Sequence, residues 1–127
     1  MIYGVGTDVV EIARIEKALK RFGDRFAKRI LCPPEIEKFM KHRLKANYLA
    51  KRFAAKEAFA KALGTGIHAP ANWHGVWVSN LRSGKPVLEF SSALADLMRS
   101  RGVGGAHVSL SDQKDLACAT VILECAA

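Results

Sequence analysis

Residues 2–22, Ile2-Tyr3-Gly4-Val5-Gly6-Thr7-Asp8-Val9-Val10-Glu11-Ile12-Ala13-Arg14-Ile15-Glu16-Lys17-Ala18-Leu19-Lys20-Arg21-Phe22, set the fold class, because a β pattern gives way to a helical one inside them. Ile2 to Gly6 read as a short strand ending in glycines, after which Thr7 or Asp8 can cap a helix with Glu11 as capping-box partner. Ile12, Ile15, Leu19 and Phe22 then recur at helical spacing, basic residues take most of the remaining surface, and Gly23 stops the run.

The same reading extends outward along the chain. A helical stretch over 24–31 is broken at Cys32-Pro33-Pro34, and Pro34 suits the first turn of another helix reaching about His42. The strongest helical stretch, rich in Ala, Leu, Lys and Glu, runs from about Ala46 to Leu63 and stops at Gly64, with Gly64-Thr65-Gly66 a joint beyond it. Residues 74–79 and 86–90 read as strands around a turn at Gly84, and Ser91 or Ser92 caps a helix reaching Arg101. Residues 107–111 and 117–124 then form a hairpin across a polar hinge, Asp112 to Asp115. Strand, helices, two strands, helix, two strands is an α+β order, and 127 residues make one domain, 1–127.

Composition narrows the function classes. Half the residues are apolar and a quarter charged, which excludes disordered and fibrous classes. Cys32, Cys118 and Cys125 lack CxxC spacing, and the two in the apolar C-terminal run read as small buried thiols. No signal-peptide pattern follows Met1 and the apolar run 116–123 is too short to span a membrane, so the expectation is a cytoplasmic protein with no membrane partner. The net charge of +8 lies wholly in residues 1–61, with 15 Lys and Arg against 7 Asp and Glu; the remainder carries 5 of each. Such a field suits a partner with clustered negative charge. A small nucleic-acid-binding module is one reading, although no helix-turn-helix, RNA-recognition or zinc-finger pattern is present.

Taken singly, Asp8 is ordinarily a helix cap, and Glu57 with Lys61 a solvated i,i+4 ion pair. Leu49, Phe53, Glu57 and Lys61 nevertheless follow i,i+4 steps, which puts the carboxylate in line with an apolar stripe, where it needs a cation. Two carboxylates from separate elements without His or Cys fit Mg²⁺. Gly4-Val5-Gly6 lacks the third glycine of a dinucleotide fingerprint, and Gly64-Thr65-Gly66 lacks the Lys-Ser/Thr of a P-loop.

Residues 6–14, Gly-Thr-Asp-Val-Val-Glu-Ile-Ala-Arg, and 52–61, Arg-Phe-Ala-Ala-Lys-Glu-Ala-Phe-Ala-Lys, followed by Gly64-Thr65-Gly66-Ile67, resemble the two signature blocks of the holo-acyl-carrier-protein synthases, the short class of 4′-phosphopantetheinyl transferases. The 49-residue separation of Asp8 from Glu57, the Gly84-Lys85-Pro86 turn, the His107-Val108-Ser109 strand and the ending at residues 117–122 are similar to that family too. The resemblance implies that family's α+β fold, a small antiparallel sheet packed with helices and assembled as a trimer with sites between chains. It implies transfer of phosphopantetheine from coenzyme A to a serine of apo acyl carrier protein, releasing adenosine 3′,5′-bisphosphate, with no role for nucleic acid.

By the same resemblance Asp8 and Glu57 hold Mg²⁺, and Glu57, Lys61 and His107 take part in catalysis. Arg52, Lys61, Gly64, Gly66, Lys85, Pro86 and His107 contact coenzyme A, and Arg14, Arg21 and Arg25 meet the acidic carrier protein. The base that takes the serine proton is Glu57 or a water on the metal. Many relatives read His-x-Ser-x-Ser-His in the late strand, whereas this chain ends that run with Asp112.

Overall fold

The computed structural model describes residues 1–127. In chain order the elements are β1 (Ile2–Glu11), α1 (Ile12–Phe22), α2 (Asp24–Ile30), α3 (Pro33–Lys41), α4 (Lys45–Leu63), β2 (Val76–Asn80), β3 (Pro86–Phe90), α5 (Ser92–Ser100), β4 (Val103–Gln113) and β5 (Leu116–Cys125). β1, β5 and β4 form an antiparallel sheet in that order, and β2 and β3 form a separate hairpin. The expected α+β order is present. No helix is long and apolar enough to cross a membrane.

The principal departure from expectation lies in the first segment. Thr7 and Asp8 do not cap a helix; they continue β1, paired with Thr120 and Ala119 of β5, and α1 starts four residues later behind Glu11, whose side chain makes no capping bond. The glycines that looked like a strand end have another cause. A Cβ on Gly4 would collide with the carbonyl oxygen of Ala62, and one on Gly6 with that of Ala58, so both allow α4 to lie directly on β1. Helix α4 answers with small residues: Ala54, Ala55, Ala58 and Ala62 are all buried. Small residues on both partners bring the two backbones into contact, and that contact sets the position of everything α4 carries.

Register assigns each residue of the sheet to one face. Gly4, Gly6, Asp8 and Val10 of β1 share the inner face with Leu123, Val121, Ala119 and Ala117 of β5. Against this face pack Leu49, Phe59 and Leu63 of α4, and Phe59 also meets the ring of Phe90 on β3 at 5.3 Å. The outer face carries Val5, Thr7 and Val9, opposite Ile122, Thr120 and Cys118, which pair in turn with His107, Ser109 and Ser111 of β4. Val5 and Val9 stand 54% and 60% exposed there.

The remaining elements match expectation within a few residues, with physical reasons at their ends. Gly64 closes α4 in the left-handed region (φ 88°), and the Ser91 hydroxyl accepts the Leu94 amide at the start of α5. β4 begins at Val103, four residues earlier than its sequence suggested, through Gly104 and Gly105, and Gly104 lies against Ala126. The cysteines also correct the sequence reading: Cys32 is the fully buried thiol, while Cys118 and Cys125 are half-buried and all three are free.

Candidate active site

The α4 crossing brings the two signature carboxylates together. Asp8 projects from the inner face of β1, and Glu57 and Lys61 sit one turn apart on α4. Asp8, Glu57 and Lys61 line a cleft of about 580 Å³ that also has Arg14 of α1, Phe26 of α2 and Phe53 of α4 in its walls. The i,i+4 pair expected between Glu57 and Lys61 is replaced by a longer-range one. The Lys61 ammonium donates to Asp8 Oδ1 at 3.1 Å and to the Thr7 carbonyl at 2.9 Å.

Glu57 lacks that relief. Burial, and then the negative charge of Asp8, hold its carboxyl above the usual glutamate range, with Lys61 pulling the other way. Lys61 is engaged by Asp8, and neither it nor Arg14, the other cation in the cleft wall, makes a salt bridge to Glu57, so that carboxylate lies in the cleft without a bonded cation. A hard divalent cation with oxygen preference fits such a donor set, and with two protein carboxylates the rest of an Mg²⁺ shell falls to water and substrate phosphate. The residues present fit the ion.

The other candidate residues separate into groups. Gly64 and Gly66, with φ of 88° and 66°, follow Lys61 at the same end of α4. Arg52 lies on the opposite side of that helix from Lys61, nine residues or half a turn away in phase. Only 6% exposed, it stacks its guanidinium over Tyr48 at 4.1 Å, reaches Asn80 Oδ1 at 3.4 Å, and leaves its Nε buried without a partner. Asn80 is the hinge of this second cluster, since its amide donates to the Gly84 carbonyl and its backbone pairs with Pro86, beside Lys85. Lys38 also donates to Asn80 Oδ1, at 3.3 Å, so two cations converge on one neutral oxygen. Neither Asn80 nor Lys38 was singled out in the sequence, where nothing marks an asparagine at a strand end as a junction.

His107 stands on the outer face of the sheet, paired with Ile122, and its ring lies 3.3 Å from Glu124. Asp8 stands on the inner face, so within one chain the sheet separates the two. Among the basic residues of α1 and α2, Arg14 reaches the cleft, Arg21 stacks over Phe22 at 5.1 Å, and Arg25 and Arg29 flank a groove with Phe22 and Phe26. Asp112 is engaged by α4: Asn47 donates to it at 3.0 Å and Lys51 lies 3.4 Å away, and the Asn47 bond in particular holds its carboxyl below the usual range.

Comparison with known proteins decides the family. The family model described as the 4′-phosphopantetheinyl transferase superfamily matches residues 4–121. The chain belongs to that superfamily. It is similar to the holo-[acyl-carrier-protein] synthase of Vibrio campbellii, 52% identical over 123 residues that cover 97% of this chain and 98% of that one. Among solved structures it is similar to the holo-[acyl-carrier-protein] synthase of Neisseria meningitidis, with a TM-score of 0.94 and 44% identity over 98% and 99% of the two chains. The synthase of Bacillus anthracis, described in complex with CoA (3′,5′-ADP), superimposes with a TM-score of 0.83 at 38% identity, over 99% of each chain. The expected transferase fold is therefore the observed one.

Proposed function

We propose that this transferase moves the 4′-phosphopantetheine group from coenzyme A to a serine hydroxyl of apo acyl carrier protein, and that Asp8 and Glu57 hold the Mg²⁺ the reaction uses. The observation that carries the reading is the convergence of Asp8, Glu57 and Lys61 in one cleft, on a fold shared nearly end to end with holo-acyl-carrier-protein synthases. The serine oxygen attacks the β-phosphorus, the bond from that phosphorus to the bridging oxygen breaks, and adenosine 3′,5′-bisphosphate leaves. Held by Asp8 and Glu57, Mg²⁺ would supply positive charge against the pyrophosphate. Lys61 adds a second charge, and Glu57 lines the same cleft as a carboxylate that can receive the serine proton.

Coenzyme A also needs a cationic pocket for its remaining phosphate. Arg52, with its buried unpartnered Nε, Lys38 and Lys85 around Asn80 are suited to that role, and His107 is a further cation when protonated. Because Arg52 faces away from Lys61 on α4, and His107 is on the far side of the sheet from Asp8, one chain does not gather these groups around one ligand. A trimer in which the outer face of the sheet, with Val5, Val9, Cys118 and Ile122, meets a neighbouring chain carries His107 toward that neighbour and covers the exposed valines. The basic face of Arg14, Arg21 and Arg25 receives the acidic carrier protein. Residues 1–127 act as one domain, and the reaction belongs in the cytoplasm.

Incubation with coenzyme A, Mg²⁺ and apo acyl carrier protein, followed by mass spectrometry, is expected to show the phosphopantetheine mass gain on the carrier; Asp8→Asn is expected to abolish it with the fold intact. No gain beside a working control enzyme, or full activity in Asp8→Asn, overturns the reading.

A further inference from the structure

Lys56 precedes Glu57 in sequence and serves a different purpose. One residue turns a helix by about 100°, and Lys56 points into the protein interior, 0% exposed. Its ammonium donates to the Ile30 carbonyl, to Glu35 Oε1 and to the Trp73 carbonyl, each at 2.7 Å. An ammonium has three N–H groups, so none is left for a phosphate. Glu35, 1% exposed, is as fully used: Oε1 also accepts the Cys32 amide and Oε2 the Val78 amide, both at 2.9 Å.

Three of these partners are joints of the fold and the fourth lies within a strand. Ile30 ends α2, Cys32 opens α3 in a capping box with Glu35, Trp73 lies between α4 and β2, and Val78 belongs to β2. Two of the joints lead back to the cleft. α2 supplies Phe26 to the cleft wall and Arg25 and Arg29 to the basic groove beside it. The Trp73 ring stacks on Phe53, with centroids 5.0 Å apart and planes at 29°, and Phe53 is another wall residue. The lysine thus holds, from behind, the two wall pieces that stand beside Glu57.

A buried ion pair is weak support for stability, since well-packed apolar replacements are commonly neutral or better. Three short bonds to acceptors on three separate segments do something that apolar packing does not: they fix direction. We propose that Lys56 is a positioning residue for the transfer reaction, pinning α2 and Trp73 so that the Phe26 and Phe53 wall and the basic α2 face stand where the carrier serine must enter. This rests on the transfer reading above and adds to it a determinant of carrier productivity that never touches substrate.

Three variants test it. Lys56→Met removes the pin, Lys56→Met with Glu35→Met removes it without leaving a buried unpaired carboxylate, and Glu35→Gln disturbs the pair while leaving Lys56 its two carbonyl bonds. The double variant is expected to fold with the wild-type oligomeric state. Its KM for carrier protein should rise about tenfold or more while its KM for coenzyme A stays within about twofold. In a Trp77→Phe background its Trp73 emission should shift to the red. Glu35→Gln is expected to lose stability yet keep its carrier KM. The proposal is overturned by an unchanged carrier KM in a folded lysine variant, by an equal rise in Glu35→Gln, or by failure of both lysine variants to fold, which would make the pair a folding requirement. The wild-type enzyme separates the two readings: if it transfers nothing the function fails, whereas the Trp73 shift still reports the pin.

Discussion

Replacing Gly6 by alanine tests the link between the helix-on-strand contact and catalysis. The added Cβ would stand 2.8 Å from the Ala62 amide nitrogen and 2.9 Å from the Ala58 carbonyl carbon, with the Ala58 oxygen closer still. Ordinary contact begins near 3.4 Å, and the Ala58 oxygen sets the amount, so α4 must retreat by more than about an ångström, and its neighbours here are backbone atoms that cannot rotate away. Overpacking of this kind costs about 1–3 kcal/mol, or roughly 5–10 °C in Tm for a chain of this size. The retreat also separates Asp8, two residues along β1, from Glu57 and Lys61, which ride on α4. A loss of about 100-fold in kcat/KM is expected from misplacement on that scale. Gly102→Ala is the control, because its φ of 78° makes alanine cost about 1 kcal/mol while nothing within 4 Å is displaced. Thermal unfolding and transfer kinetics on both variants read the difference. Full kcat/KM in Gly6→Ala, or an activity loss as large in Gly102→Ala, refutes the reasoning.

Two further outcomes follow from the site. Glu57 is protonated more readily in the folded chain than in the unfolded one, so its ionisation costs stability as pH rises above the usual glutamate pKa of about 4.3 through the higher folded value. Metal-free Glu57→Gln should therefore melt above the wild type at pH 7, lose that advantage at pH 4, and show a smaller Tm gain from added Mg²⁺; calorimetry checks all three. Inactive Asp8→Asn and His107→Ala parents, unfolded together and reassembled, should regain part of the wild-type activity, because some interfaces receive both intact halves. A monomeric protein, or no recovery after demonstrated mixing, places the whole site in one chain.

The legible parts of the fold were those governed by local chemistry. α4 ends where Gly64 permits the left-handed turn, and β3 begins at Pro86 as expected, because turn and cap residues act on their own neighbours. β1 was misread because Gly-x-Gly followed by Thr-Asp carries the marks of a strand end and a cap. Its glycines instead answer to Ala58 and Ala62, more than fifty residues away, and no local signal reveals that. The pairing of Asp8 with Glu57 was legible only through the resemblance of the two blocks to a known family, since sequence spacing does not say that α4 crosses β1. Lys56 was invisible for the opposite reason: a lysine in an alanine-rich helix looks solvated, and its partner Glu35 looks like an ordinary first-turn acid.

β1 divides its residues by parity, with Gly4, Gly6, Asp8 and Val10 turned toward α4 and Val5, Thr7 and Val9 turned away. Losing or gaining one codon inside this strand would drive valines into the backbone of α4 and carry the carboxylate to the opposite side of the sheet. A change of two residues keeps the parity but slides Asp8 by about 6.8 Å relative to Glu57, well outside hydrogen-bonding range of Lys61. The strand can therefore drift in composition at its outward positions, but between Gly4 and Asp8 it has no freedom of length. The reading frame of a few residues is as much a part of the active site as the carboxylates.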